Sequence, residues 1–186
     1  MKLSNLLLTS MISILFFSCK SNEDASPKKP VYPSDQELIT TVKLHFTDEE
    51  QQTRTFTFSQ PDGFGGPPPS IDTIRLQKDQ VYEVEAEFFD ESNPQDIEDI
   101  TKEIKEKDKE HLLCFEVNDL EGIQIKRTDS DGTYELGLSS LWTLSEHANS
   151  QVGSIILILK HQVGVKDGSC EAGETDVEVE FPTKIE

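Results

Sequence analysis

The sequence predicts an all-β protein, an antiparallel β-sandwich of roughly nine strands with one short amphipathic helix. Three observations carry this. Apolar and polar residues alternate with period two in several separate runs, as half-buried strands require. One run, Ile155-Ile156-Leu157-Ile158-Leu159, is apolar without alternation, the pattern of a central strand covered on both faces. Only one segment carries a helical stripe, between Asn93 and Lys107.

The strands follow in order from Leu38. Val42, Leu44 and Phe46 alternate with Thr41, Lys43, His45 and Thr47, and Phe56 and Phe58 alternate with Thr53, Thr55 and Thr57. Ile71 to Leu76 offers a further candidate. Tyr82, Val84, Ala86 and Phe88 then alternate with Glu83, Glu85 and Glu87. The helix comes next: Asn93 caps it, Pro94 takes the first helical position, and Asp96, Glu98 and Asp99 sit at the positive end of its dipole. Ile97, Ile100 and Ile104 form its apolar stripe, and Glu98/Lys102 and Glu103/Lys107 are i,i+4 ion pairs. Leu112 to Val117, Ile123 to Lys126, Tyr134 to Trp142, the apolar run at Ile155, and Val177 to Phe181 complete the set. An immunoglobulin-like or related sandwich accommodates them, and residues 37–186 read as one domain.

Residues 1–36 have a different character. Lys2 precedes an apolar run from Leu6 to Phe17, too short for the roughly 20 residues a membrane span needs. Ser18 and Cys19 follow. This layout resembles a bacterial lipoprotein signal, which implies cleavage after residue 18 and acyl chains on Cys19. More than one chain gives firm anchoring, and the acyl group is then the membrane partner. Residues 19–36, rich in Ser, Lys, Pro, Asn and acidic side chains, read as a flexible tether. Its opening, Cys19-Lys20-Ser21-Asn22-Glu23-Asp24, partly resembles the surface-export signal of Bacteroidota lipoproteins, with the acids displaced by two positions.

The whole chain has 17 basic and 36 acidic residues. Only Lys2 lies in the leader, so the mature chain carries 16 basic against 36 acidic groups, a net of −20. Such a surface excludes nucleic acid as a partner, because binding there depends on Lys and Arg replacing counterions. It admits cations and basic partner surfaces, and it also keeps a domain soluble.

Few motifs bear on chemistry. Thr128-Asp129-Ser130-Asp131-Gly132 offers Asp129 and Asp131 as calcium ligands, but it lacks the glycine and glutamate of an EF-hand loop. An Asp-Gly step between alternating runs reads more simply as a hairpin turn. Pro61 to Pro69 forms a Gly- and Pro-rich loop bearing Phe64, which, with the single Trp142, is the candidate ligand-contacting aromatic. The acidic rows Glu83/Glu85/Glu87 and Asp176/Glu178/Glu180 read as solvated strand faces that guard against edge pairing. Cys114 and Cys170 form a disulfide in an oxidising compartment, or Cys114 is a buried inert thiol; sequence alone leaves both open. No nucleophile elbow, zincin motif or phosphate loop is present. Cys170 with His161, or Cys114 with His111, can be named as thiol–imidazole pairs, yet three residues along a strand place His111 and Cys114 on opposite faces. His45, His111, His147 and His161 lack metal-ligand spacing and read as surface or hairpin residues.

Leu38 to Val42, Pro61-Asp62-Gly63 and Lys160 to Lys166 resemble a family of small Bacteroidota lipoproteins. The resemblance implies an outer-membrane address and an all-β fold, and it transfers no activity or site residue. The expected function is a lipid-anchored envelope protein of interaction or structural type, with an envelope protein as partner. The alternative is a glycan- or cation-binding module at the cell surface, calcium being the one cofactor the loop at Asp129 admits.

Overall fold

The computed structural model of the chain describes residues 37–63, 66–148 and 151–186, all within one compact unit. The leader, the tether with Cys19, and Phe64 lie outside the described residues. Eleven strands are formed by the described residues: β1 Thr41–Thr47, β2 Thr53–Ser59, β3 Ser70–Ile71, β4 Ile74–Leu76, β5 Val81–Asp90, β6 Glu98–Asp99, β7 His111–Asn118, β8 Ile123–Arg127, β9 Ser139–Leu144, β10 Gln151–His161 and β11 Glu174–Ile185. They make two packed sheets, an all-β sandwich. Sheet A runs β3-β2-β1-β5-β9-β8, with β6 on β5, and sheet B runs β4-β11-β10-β7. All pairings are antiparallel except β11 with β4. Among the described residues no helix is long and apolar enough to cross a membrane.

Alternation places the core where the sequence requires it. In sheet A, Val42, Leu44 and Phe46 oppose Phe88, Ala86 and Val84, and all six are buried. In sheet B, Ile155, Leu157 and Leu159 of the central β10 face inward with Leu113, Val179 and Phe181. Phe46 stands at the middle of an aromatic group. Its ring centre is 5.0 Å from Trp142, 5.3 Å from Phe56 and 5.9 Å from Tyr82, all edge to face. Such pairs add about 1 kcal/mol each beyond their buried area.

Three expectations change. Ile71 to Leu76 is not one strand: it divides between the sheets, β3 pairing β2 in sheet A and β4 pairing β11 in sheet B. Tyr134 to Trp142 becomes a looped hairpin leading into β9, because Asp129, Asp131 and the positive-φ residues Gly132 and Gly137 turn the chain before Ser139. The helix, α1, spans Ile100–Glu106 only and starts at Asp99. Asn93 and Pro94 form a turn instead, with Asn93 Oδ1 accepting from the Gln95 amide. Glu98 and Asp99 are captured by pairing with Asp90 and Phe89 of β5, so Ile97 is left 55% exposed. A helix of seven residues has little stability of its own. Ile100 and Ile104 bury it against the core, and Thr101 Oγ1 accepts from the Phe88 amide at 2.8 Å. Glu103 pairs with Lys107 as expected, whereas Lys102 bridges Asp99 rather than Glu98.

The acidic row of β5 lies on the outer face of sheet A, flanked by β1. Lys43 and His45 oppose Glu87 and Glu85, and the His45 ring meets Glu87 at 2.9 Å. The acidic row of β11 belongs to the other sheet, so the two rows never stand side by side. Asp176, however, leaves its row.

Candidate functional site

The register of β11 against β10 shifts at one point. Val177 opposes Leu159 and Thr175 opposes Lys160, so Asp176 is an extra residue in a bulge. Strict alternation would send Asp176 outward with Glu178 and Glu180. The bulge re-aims it, as bulges do, and its side chain ends fully buried. There it meets two histidines. His111 opens β7, His161 closes β10, and the two stand directly opposite each other. Their register continues the inward row of Leu113 and Leu159, which puts both imidazoles on the inner face at one end of the sandwich.

The rings are stacked, with centres 4.8 Å apart and planes within 1° of parallel. His111 is wholly buried, and its Nδ1 lies 3.1 Å from the Lys107 carbonyl oxygen. A carbonyl only accepts, so Nδ1 carries the proton and Nε2 is a bare lone pair. That Nε2 is 3.7 Å from Asp176 Oδ2, and His161 Nδ1 is 3.8 Å from Asp176 Oδ1. Both gaps exceed hydrogen-bond length. His111 Nε2, His161 Nε2 and both Asp176 oxygens are buried without a hydrogen-bond partner. The three residues bring one donor atom each to within 4.8 Å of one another.

Burial also governs the charges. It holds the His111 imidazolium below the usual histidine range and pushes the Asp176 carboxyl up to about 6. Glu37, at the start of the domain, is raised to about 7, first by burial and then by a hydrogen bond with the Glu103 carboxyl. Glu103 is lowered in turn, chiefly by its hydrogen bond from Lys107. A carboxyl pair, Glu37 and Glu103, therefore adjoins the cluster through α1.

Residues 162–173 close over this end. Gln162 Nε2 donates to the carbonyls of Ser169 and Ala172, and its amide donates to Glu110. Gly173 presses on the His161 carbonyl: a Cβ there would lie 2.2 Å from that oxygen, so only glycine fits. Cys170 of this segment is bonded to Cys114 of β7, Cα to Cα 6.1 Å apart. Closing a loop of this size stabilises by about 4 kcal/mol in the chain-entropy account. Cys114 pairs with Ile158 on the outer face, opposite His111 on the inner face. Neither thiol–imidazole pair is therefore assembled.

The other candidates fall elsewhere. Asp129 Oδ1 accepts from the Gly137 amide, and Asp131 Oδ1 accepts from the amides of Thr133 and Tyr134. Asp131 Oδ2 meets Lys166 Nζ at 2.7 Å in a pair shielded from solvent. These carboxylates hold the hairpin together through backbone amides and Lys166. Trp142 is a correction of a different kind. It has no exposure, its Nε1 donates to Ser140 Oγ, and it packs between Phe46 and Phe115, so no ligand reaches it. His147 is exposed as expected, and His45 is half-exposed on sheet A; His111 and His161 are not surface residues. Spacing along the chain could not reveal the cluster, since its members come from three strands and one of them is turned inward by a bulge.

No known protein family matches the chain. No curated protein and no solved structure matches it either.

Proposed function

We propose that the chain is a lipid-anchored, extracytoplasmic β-sandwich of the envelope that acts through interaction rather than turnover. The observation that supports this most directly is the Cys114–Cys170 bond, which locks residues 162–173 onto β7. Disulfides of this kind persist in oxidising compartments and not in the cytosol. The bond agrees with a leader that ends at Ser18, just before Cys19, and with the polar tether after it. Acyl chains on Cys19 hold the acidic domain at the outer membrane, and the tether gives it reach toward a protein partner. The glycan alternative loses one of its two candidate aromatics, because Trp142 lies in the core.

The test is to express the full chain with an alkyne-tagged palmitate analogue, fractionate the cells and sequence the N-terminal peptide by mass spectrometry. The proposal expects an acylated Cys19 at the new N-terminus, membrane association, and release to the soluble fraction on Cys19→Ala. An N-terminal peptide retaining residues 1–18, or a Cys19→Ala chain that stays with the membrane, overturns it.

A further inference from the structure

We propose that His111, His161 and Asp176 form a binding site for one divalent transition-metal ion of the zinc class. The donor set selects the ion. Two imidazoles and a carboxylate suit zinc and its neighbours, whereas calcium and magnesium take oxygen ligands alone.

Three independent features make this a built site rather than a chance grouping. First, the donors are unsatisfied. A buried polar atom without a partner is costly, and three of the ligand atoms, His111 Nε2 and both Asp176 oxygens, have none. A metal ion gives the His111 nitrogen and the Asp176 oxygens what no protein group gives them. Second, His111 is pre-oriented: its Nδ1–H on the Lys107 carbonyl fixes both the ring and the tautomer that leaves Nε2 bare. Metal-bound histidines are held through their other nitrogen in this way. Third, the local backbone is arranged to bring the groups together. The bulge turns Asp176 inward, and Gly173 lets the chain pass against His161.

His111 binds through Nε2, His161 through Nδ1, and Asp176 through one or both oxygens. Donors around a tetrahedral zinc lie about 3.3 Å apart, given bonds of about 2.0 Å. From the present spread of up to 4.8 Å, the His161 ring turns out of its parallel stack on His111 to bring its lone pair onto the ion, while the Lys107 carbonyl holds the His111 ring. His161 is 12% exposed while its partners are fully covered, so the ion arrives past that ring. Glu103 and Glu174 add negative potential near the site, opposed by Lys107 and Lys160. The bound ion joins the ends of β7 and β10 to the start of β11, and it retains a coordination position for water or for a donor from a partner.

The full-length acylated chain in detergent is stripped with EDTA, exchanged into chelator-free buffer and titrated with zinc chloride against a chromogenic zinc chelator. One zinc per chain is expected, not displaced by excess calcium. Asp176→Asn and His161→Ala are each expected to weaken binding on the order of 100-fold, with His147→Ala unchanged as a surface-histidine control. Zinc-edge X-ray absorption on the unmutated chain gives a readout that does not depend on variants folding, and two imidazoles among the ligands are expected. Absence of stoichiometric binding, equal affinity in the Asp176→Asn and His161→Ala chains, or an absorption spectrum without two imidazoles overturns the proposal.

Discussion

The two ends of the sandwich interior obey opposite rules. Around Phe46 and Trp142 every large side chain is packed by another, and the polar atoms that the aromatics bring are paired. Trp142 Nε1 donates to Ser140, and the Tyr82 hydroxyl accepts from the Gln77 amide. At the other end, His111 and the Asp176 side chain are fully covered and His161 nearly so, yet Asp176 faces both rings across gaps too long for hydrogen bonds. The first region is arranged for stability. The second gives stability up, which natural folds do where a site requires it.

This contrast can be broken by substitution. Trp142→Ala is expected to have the largest effect, lowering stability by about 5 kcal/mol, because it opens a cavity among Phe46, Phe115 and Tyr82. Urea unfolding of the full chain measures it. A loss under about 2 kcal/mol would show that the aromatic centre is looser than its edge-to-face contacts indicate.

A middle effect belongs to the Lys166–Asp131 pair, which ties residues 162–173 to the hairpin tip. Lys166→Met is expected to cost about 2 kcal/mol at neutral pH, since it leaves the Asp131 carboxylate shielded and without its cation. The Lys166 ammonium, helped by the Tyr134 amide, holds Asp131 down at about 2, against an ordinary 3.8. A depressed carboxyl stabilises the fold above its unfolded value and loses that contribution as pH falls through its folded value. Stability should therefore drop between about pH 4 and pH 2, and the drop should shrink in Lys166→Met. Parallel slopes in the two chains would remove the pair from the account.

The smallest effect is expected where intuition puts a large one. In EDTA, Asp176→Asn should change stability by less than about 1 kcal/mol or raise it slightly, because the native carboxylate is buried with no partner to lose. A cost above 3 kcal/mol would mean that Asp176 is a structural member of the fold. The contrast between the two ends would then fail.

The stable end was legible in the sequence and the polar end was not, for a physical reason. Period-two alternation identifies an inward row from local residues alone, so Val42 to Phe46, Tyr82 to Phe88 and Val179 to Phe181 sit where the pattern places them. Alternation also assigned Asp176 to the outer row, and it did so correctly for Glu178 and Glu180. One inserted residue reverses the rule, and nothing in Thr175-Asp176-Val177 announces it. Trp142 illustrates the complementary ambiguity: the run from Ser139 to Leu144 fixes a strand but not which face meets the partner sheet. The helix start was misplaced because Asn93-Pro94 suits a turn as well as a cap, and only the pairing of Glu98 and Asp99 with β5 decides between them. The hairpin at Asp131-Gly132 was readable because its geometry is local.

The position of β11 has a consequence for when this protein can exist as a folded object. It follows every other strand of its sheet in sequence, yet it lies inside sheet B, flanked by β10 on one side and by the much earlier β4 on the other. Until β11 has been made, Ile74 to Leu76 have no neighbour in their sheet, and β10 lacks one of its two. Assembly of sheet B therefore waits for β11, and pairings so distant in sequence form slowly. A nascent chain of this design keeps sheet B open, with β10 exposed along one edge, for as long as β11 is missing.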